Sequence, residues 1–257
     1  MKFLQQIKYL LSITGKRVWK ITFRMNLSKP SISFFCPAYN DEENLPILIP
    51  QVIDVLKKET SKFDILIIED GSPDNTGEIA EKLRKKYPKL ITVIHHKKNK
   101  GYGTTIREGF RKANKYDYTL YTDGDNQYHA TDLKKILSYL GKYDVVLGYR
   151  LNRSLNRRRL IQTNVYNTLV RFFFHVKAKD INCSMKVFKR EIIDSMKLRS
   201  TSSFVDGEMI INLKRKNISF IEVGIRHYPR EFGQASGGKP SVIFDTVKDM
   251  IRCRFTS

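Results

Sequence analysis

Tyr118-Thr-Leu-Tyr-Thr-Asp-Gly-Asp-Asn-Gln-Tyr128 joins a short run of aromatic and β-branched residues to a polar turn. The first half reads as a buried strand. The second half carries two carboxylates, Asp123 and Asp125, with one glycine between them. Carboxylates two apart at a strand end can face the same way, and Gly124 is expected to let the backbone bend to aim both. Paired hard oxygens at a strand's carboxyl end suit Mg²⁺ or Mn²⁺, and such an ion can hold a diphosphate. An isolated Asp-x-Asp is more often a polar loop that caps a strand. The surrounding sequence decides between the two.

Upstream, strand and helix patterns alternate. Ser31–Cys36 reads as a first strand ending at Pro37–Asp41, followed by a helix over Glu42–Lys58. Phe63–Ile68 is nearly all apolar, as a strand buried on both faces should be, and ends in Glu69–Asp74. Asn75 or Thr76 is placed to cap a helix running to Tyr87. Leu90–His95 reads as a third strand, and Lys98–Gly103 opens a helix to Lys115. The acidic turn closes the fourth strand, a helix starts at Thr131 or Asp132, and Asp144–Gly148 is a fifth strand. This alternation predicts a mostly parallel sheet with helices on both faces, whose ligands bind beyond the strands' carboxyl ends. The turns at Pro37–Asp41, Glu69–Asp74 and Asp123–Gln127 would then meet on one rim.

Beyond Arg150 the pattern loosens. Asn152–Arg159 is a basic loop, and Leu160–Val176 reads as a helix that turns very apolar at Phe172-Phe-Phe174, expected to be core. Met185–Phe188 is a short strand, Val205–Lys216 a helix and Ile218–Ile225 a strand. The glycine-rich stretch Phe232–Pro240 precedes a last amphipathic helix over Val242–Cys253. At the other end, residues 1–29 read as a basic amphipathic helix suited to a membrane interface, with Phe3, Ile7, Leu10, Leu11, Val18 and Ile21 at helical spacing. Residues 30–257 would form one domain, with halves at 30–150 and 151–257.

The 257-residue chain is 41% hydrophobic and carries a formal charge of +21. That charge implies an anionic partner: a membrane face, phosphorylated substrates or nucleic acid. No nucleic-acid reading motif is recognisable, and acidic turns repel phosphates without a metal, so nucleic acid is not expected. Cys36, Cys183 and Cys253 show neither metal spacing nor a paired framework, which makes a reduced, cytoplasmic setting the default. No apolar run is long enough to span a bilayer, and no secretory leader is visible, so a peripheral position on the membrane's cytoplasmic face is expected. Gly101 and Gly103 are not a dinucleotide fingerprint, because Ile106 stands where a third glycine is needed. His95-His96 lacks a second ligand pair and reads as a strand end.

Taken in order, Pro37-Ala-Tyr-Asn-Asp-Glu-Glu-Asn-Leu45, Ile68-Glu-Asp-Gly-Ser-Pro-Asp-Asn-Thr76, Asn99-Lys-Gly-Tyr-Gly-Thr104, Thr122-Asp-Gly-Asp-Asn-Gln127, Gly148-Tyr-Arg150, Asp180-Ile-Asn-Cys-Ser-Met-Lys-Val-Phe188 and His227-Tyr-Pro-Arg230 resemble the inverting family 2 glycosyltransferases. The likeness is to polyprenyl- and dolichyl-phosphate sugar synthases in particular. It implies a Rossmann-like GT-A fold and transfer from a UDP- or GDP-linked sugar to a polyprenyl phosphate, with a hydroxyl of a glycan or lipid as the alternative acceptor. By position, Pro37, Ala38, Tyr39, Asp41, Glu69 and Asp70 would line the nucleotide pocket. Asp123, Gly124, Asp125 and Gln127 would surround the metal and diphosphate. Arg150, which with Asp123 and Asp125 would carry the chemistry, would face the acceptor phosphate together with Arg226 and Arg230. Asp41 stands where a glutamate is usual, Glu69 where an aspartate is usual, and Ser184-Met-Lys186 replaces the usual Gly-Phe-Arg. A lipid phosphate is already mostly anionic near neutral pH and needs no general base. A hydroxyl acceptor would need one, and Asp206 and Glu208 are the candidates.

Overall fold

The computed structural model describes residues 29–152, 157–233, 238 and 240–255. The expected helix at the amino end and the arginines of the 153–159 loop lie outside the residues, or the side chains, so described.

Seven strands form one sheet in the order β3-β2-β1-β4-β6-β5-β7. They are β1 Ser31–Ala38, β2 Lys62–Glu69, β3 Ile91–His95, β4 Tyr118–Tyr121, β5 Val145–Arg150, β6 Lys186–Lys189 and β7 Ile221–Ile225. The helices are α1 Leu45–Glu59, α2 Thr76–Lys86, α3 Tyr102–Lys112, α4 Leu133–Leu137, α5 Arg157–Phe174, α6 Arg190–Ser195, α7 Val205–Arg215 and α8 Pro240–Phe255. A 3₁₀ turn at Ala130–Asp132 leads into α4.

Alternation along β1 sorts two cores. Ile32, Phe34, Cys36 and Ala38 pack on one side against α1, whose Leu45, Leu48, Ile49, Val52, Ile53 and Leu56 recur at helical spacing and are all buried. Burying each such side chain contributes about 1.5–3 kcal/mol. Phe35 points to the other side, into an aromatic cluster with Phe110, Tyr121 and Phe188. Gly109 of α3 lies against Phe35 so closely that a Cβ there would come within 2.2 Å of the ring. The missing side chain lets α3 sit low on the sheet and carry Tyr102 to the rim.

The sheet departs from the expected pattern at β6. This strand runs antiparallel between β4 and β5, while β1–β4, β5 and β7 run parallel to one another. The strand order reverses between β1 and β4, since β2 and β3 lie on one side of β1 and β4 lies on the other. A crevice opens beyond the carboxyl ends at such a reversal. The turns after β1 and β4 flank it.

Candidate active site

The acidic turn sits in that crevice, held from three directions. Gly124 N–H donates to the Pro37 carbonyl at 3.2 Å. Asp123 N–H donates to Ser184 Oγ at 3.2 Å, and Tyr102 OH donates to Asp123 Oδ1 at 3.0 Å. The role expected of Gly124 is corrected here. Its φ is not left-handed; instead a Cβ would meet the Pro37 carbonyl at 2.8 Å and the Asp41 carboxylate at 3.2 Å. Close approach requires the glycine. The left-handed residues of the turns after β1 and β4 are Asn40, at φ 57°, and Asn126, at φ 54°, a conformation that asparagine tolerates better than most residues.

The carboxylates crowd one another. Burial raises the Asp123 carboxyl to about 7, with Asp125 and Asp206 adding to the shift. Asp41 rises to about 6, mainly through burial. Its Oδ2 accepts from Tyr39 N–H at 3.0 Å, and its Oδ1 from Asn44 Nδ2 at 3.0 Å and Arg230 at 3.3 Å. Close by, Asn40 Oδ1, Thr122 Oγ1 and Asn126 Oδ1 are buried without a hydrogen-bond partner among the described residues. Orphaned oxygens of this kind call for a ligand or water. An oxygen-seeking divalent ion fits the donor set, with Asp123 and Asp125 as ligands. Among the described residues no three acidic, histidine or cysteine side chains are grouped to hold a metal by themselves, so an ion held there would need further oxygens from a ligand or water.

Other expected site residues are already engaged by the chain itself. Asp70 accepts from Lys100 N–H, Gly101 N–H and His96 Nδ1, at 2.9, 3.1 and 2.6 Å. His96 Nε2 in turn faces Glu108 at 2.9 Å. Glu69 accepts from Ser72 N–H and faces His95 Nδ1. These two carboxylates therefore build the rim's loops, while Pro37, Ala38 and Tyr39 form its edge. Gln127 N–H donates to Asp125 Oδ1 and its amide to the Tyr228 carbonyl, at 3.2 and 3.1 Å.

Arg150 differs most from its expected role at the acceptor phosphate. Its guanidinium makes a forked pair with Asp180 at 2.6 and 2.7 Å, and only 9% of its side chain is exposed. Fork-on-fork pairs are the strong ones, so Arg150 fastens β5 to the Asp180 loop. Arg226 is exposed at the rim, its N–H on Asp132 Oδ2 at 3.1 Å. Arg230 reaches Asp41 and Asp125.

The candidate bases, Asp206 and Glu208, are corrected by their surroundings. Asp206 is buried and ion-paired with the fully buried Lys186, and Tyr121 OH donates to the same oxygen. Glu208 is buried and accepts from Arg199 N–H and Ser200 N–H at 2.9–3.0 Å. Both Glu208 oxygens are engaged by backbone N–H groups, while Asp206 is held through one oxygen, Oδ1, by Lys186 and Tyr121. No single residue type signals such pairings; the only hint in sequence was a lysine inside the apolar run Met185–Phe188.

Two cavities of about 320 and 460 Å³ lie elsewhere, around Arg199 and Arg215 and around Arg107 and Met196. Neither includes Asp123 or Asp125.

The expectation that Phe172-Phe-Phe174 is core holds for one residue of three. Phe174 is buried, whereas Phe172 and Phe173 are exposed, as are Ile161 and Val165 on the same helix. On α8, Ile243, Phe244, Val247, Ile251 and Phe255 are exposed as well.

Comparison with known proteins agrees with this geometry. A sequence profile described as "Glycosyl transferase family 2" matches residues 33–196, more than half of the chain. An undecaprenyl-phosphate 4-deoxy-4-formamido-L-arabinose transferase of Pectobacterium atrosepticum is 26% identical over 230 residues, covering 88% of this chain and 68% of that protein. An uncharacterized protein of Methanocaldococcus jannaschii is 30% identical over 236 residues, covering 85% and 97%. Among solved structures, glucosyl-3-phosphoglycerate synthase of Mycobacterium tuberculosis with Mn²⁺, UDP and phosphoglyceric acid superposes at a TM-score of 0.67. It is 14% identical, over 89% of this chain and 80% of that one, a likeness of fold. With an acidic turn at the sheet's reversal and these relatives, the chain belongs to glycosyl transferase family 2, is a glycosyltransferase, and resembles the polyprenyl-phosphate sugar transferases on a GT-A-like fold.

Proposed function

We propose that this glycosyltransferase moves a sugar from a UDP- or GDP-linked donor to a polyprenyl phosphate at a membrane surface, with Mg²⁺ or Mn²⁺ held by Asp123 and Asp125. The observation that carries the choice of acceptor is the engagement of Asp206 and Glu208. Glu208 is taken up by two backbone N–H groups and Asp206 by Lys186 and Tyr121, so neither of these two candidates stands unengaged to take a proton from an alcohol. An acceptor that arrives as a phosphate oxyanion needs none.

Relatives named as undecaprenyl-phosphate transferases support the reading. So does the exposed apolar stripe of α8, where Phe244, Val247, Ile251 and Phe255 recur at helical spacing with Lys248, Arg252 and Arg254 beside them. A helix with an outward apolar face and basic flanks suits the headgroup boundary of a bilayer. No helix of the described residues is long and apolar enough to cross one. The solved structures of the same fold that carry Mn²⁺ with UDP or UDP-glucose support the choice of cofactor.

A cation held by Asp123 and Asp125 would supply charge stabilisation for the leaving diphosphate. Tyr102 orients Asp123 toward the crevice, and Gln127 orients Asp125 through its backbone N–H. Pro37, Ala38 and Tyr39 border the nucleotide, and Arg226 and Arg230 supply cationic donors to phosphate oxygens. The acceptor oxyanion then attacks the anomeric carbon opposite the leaving group.

The test is a transfer assay with UDP- and GDP-sugars against a polyprenyl phosphate and the matching polyprenol, each with and without Mn²⁺. Transfer to the phosphate alone, lost in excess chelator, is the expected result. Transfer to the polyprenol or to a soluble glycan would replace the lipid-phosphate reading with a hydroxyl-acceptor one.

A further inference from the structure

Residues 226–233 cross the acidic crevice as a strap. Tyr228 N–H donates to the Gln127 carbonyl at 2.9 Å, and Gln127 returns a hydrogen bond to the Tyr228 carbonyl at 3.1 Å. The Tyr228 ring stacks on His129 at 3.6 Å and 5°. At the far end Gly233, at φ 73°, lies beside the Asn40 carbonyl. The strap thus runs from the turn after β4 to the turn after β1.

At its middle, one guanidinium nitrogen of Arg230 stands 3.3 Å from Asp41 Oδ1 and 3.5 Å from Asp125 Oδ2. Only 16% of the Arg230 side chain is exposed. A single positive group therefore bridges carboxylates from two different turns, one of them a member of the pair assigned to the divalent ion. Opposite charges so placed and partly withdrawn from water attract more strongly than surface pairs do. A guanidinium cannot give up its charge as an ammonium can.

We propose that Arg230 is the site's built-in counter-ion: in the donor-free enzyme it holds Asp125 in competition with the divalent cation, and it transfers to the donor's diphosphate when cation and donor bind together. This rests on the cation reading above and adds an exchange to it. Arg230 offsets the repulsion among Asp41, Asp123 and Asp125 while the crevice is empty. Once a cation takes Asp125, the guanidinium is released beside diphosphate oxygens, which accept its forked donors. No bond is made or broken; one ion pair replaces another. Metal and donor then bind cooperatively, because each removes a cost that the other would meet.

The inference predicts opposite signs for two affinities. In Arg230→Met and Arg230→Gln, Mn²⁺ binding without nucleotide, read by the free-ion electron paramagnetic resonance signal, should tighten about three- to tenfold. At saturating Mn²⁺, UDP or GDP, whichever the wild type binds, should bind about tenfold more weakly to both variants. Arg230→Lys should fall between wild type and the neutral variants. Thermal melts select the variants that fold. Unchanged or weaker Mn²⁺ binding in both neutral variants overturns the exchange. Asp125→Asn separates the two levels. If Mn²⁺ binding depends on Asp125 and ignores Arg230, only the exchange fails; if it is indifferent to Asp125, the cation assignment fails and the exchange with it.

Discussion

Helices α1 and α8 have nearly the same length and are both amphipathic, yet they use their apolar faces in opposite ways. In α1 six of the eight leucine, isoleucine and valine residues, Leu45, Leu48, Ile49, Val52, Ile53 and Leu56, are buried against β1 and its neighbours. In α8 only Asp249, Met250 and Cys253 are buried, and Phe244, Val247, Ile251 and Phe255 face outward. The first helix closes a core. The second leaves an apolar surface that the described residues do not cover, and contiguous exposed apolar surface marks an interaction site. The first helix thus finishes a core, whereas the part of the chain after Arg150 also turns an apolar face outward.

The largest expected effect probes the buried ion pair inside the part after Arg150. Lys186→Met leaves Asp206 buried without its counter-charge and should cost about 3–5 kcal/mol of unfolding free energy in denaturant titrations. The double variant with Asp206→Leu should recover most of that loss. A mild Lys186→Met phenotype would mean that the pair is hydrated and the core more open than described.

Next comes the crevice. Asp125→Asn should lower turnover by about 10²–10³ while the thermal midpoint holds. Near-wild-type transfer would move the chemistry off the acidic turn.

The pH dependence is expected to be smaller. The Asp123 carboxyl is raised to about 7, so in the metal-free protein it is largely protonated below that pH. Metal binding must expel that proton, and Mn²⁺ affinity should rise about tenfold per pH unit up to 7 and flatten above it. Without metal the sign reverses for stability. A carboxyl whose folded value exceeds its unfolded one favours folding most at low pH and loses that contribution as pH rises from about 4 to about 7. The stability of Asp123→Asn relative to wild type should therefore grow over that window. A flat difference in melts from pH 4 to 8 would contradict the buried, crowded setting of Asp123.

The smallest effect sharpens the contrast between helices. Phe244→Ser with Ile251→Ser should reduce sedimentation with anionic vesicles about five- to tenfold and leave nucleotide affinity unchanged. The same pair of changes on α1, Leu48→Ser with Ile53→Ser, should instead unfold the domain. Vesicle binding that ignores the α8 substitutions would assign the stripe to a protein partner.

The rim was legible in sequence because its logic is local. Strands β1, β2 and β4 each run straight into a short polar turn, and parallel topology brings those turns together. Pairings across long separations were not legible. Arg150 meets Asp180, Lys186 meets Asp206, and Arg230 meets Asp41; nothing near either partner announces the other. The place of β6 was hidden for the same reason, since a four-residue strand fits either edge or interior. Helix α8 was legible as amphipathic, but periodicity reports a face and not what the face meets.

The antiparallel strand β6 also has a consequence in time. β4 pairs with β1 on one side and β6 on the other, and Lys186 follows Tyr121 by 65 positions. At a synthesis rate of about 5–20 residues per second, roughly 3–13 s separate their emergence from the ribosome. During that interval the strand that carries the acidic turn is a sheet edge, with a row of unpaired backbone groups. The ribosome-bound intermediate should therefore expose this edge to chaperones or to neighbouring chains, and pulse-labelling hydrogen exchange on stalled chains would detect late protection of residues 118–121. A glycosyltransferase assembled in this order cannot close the sheet around its acidic turn until the chain beyond Arg150 has largely been made.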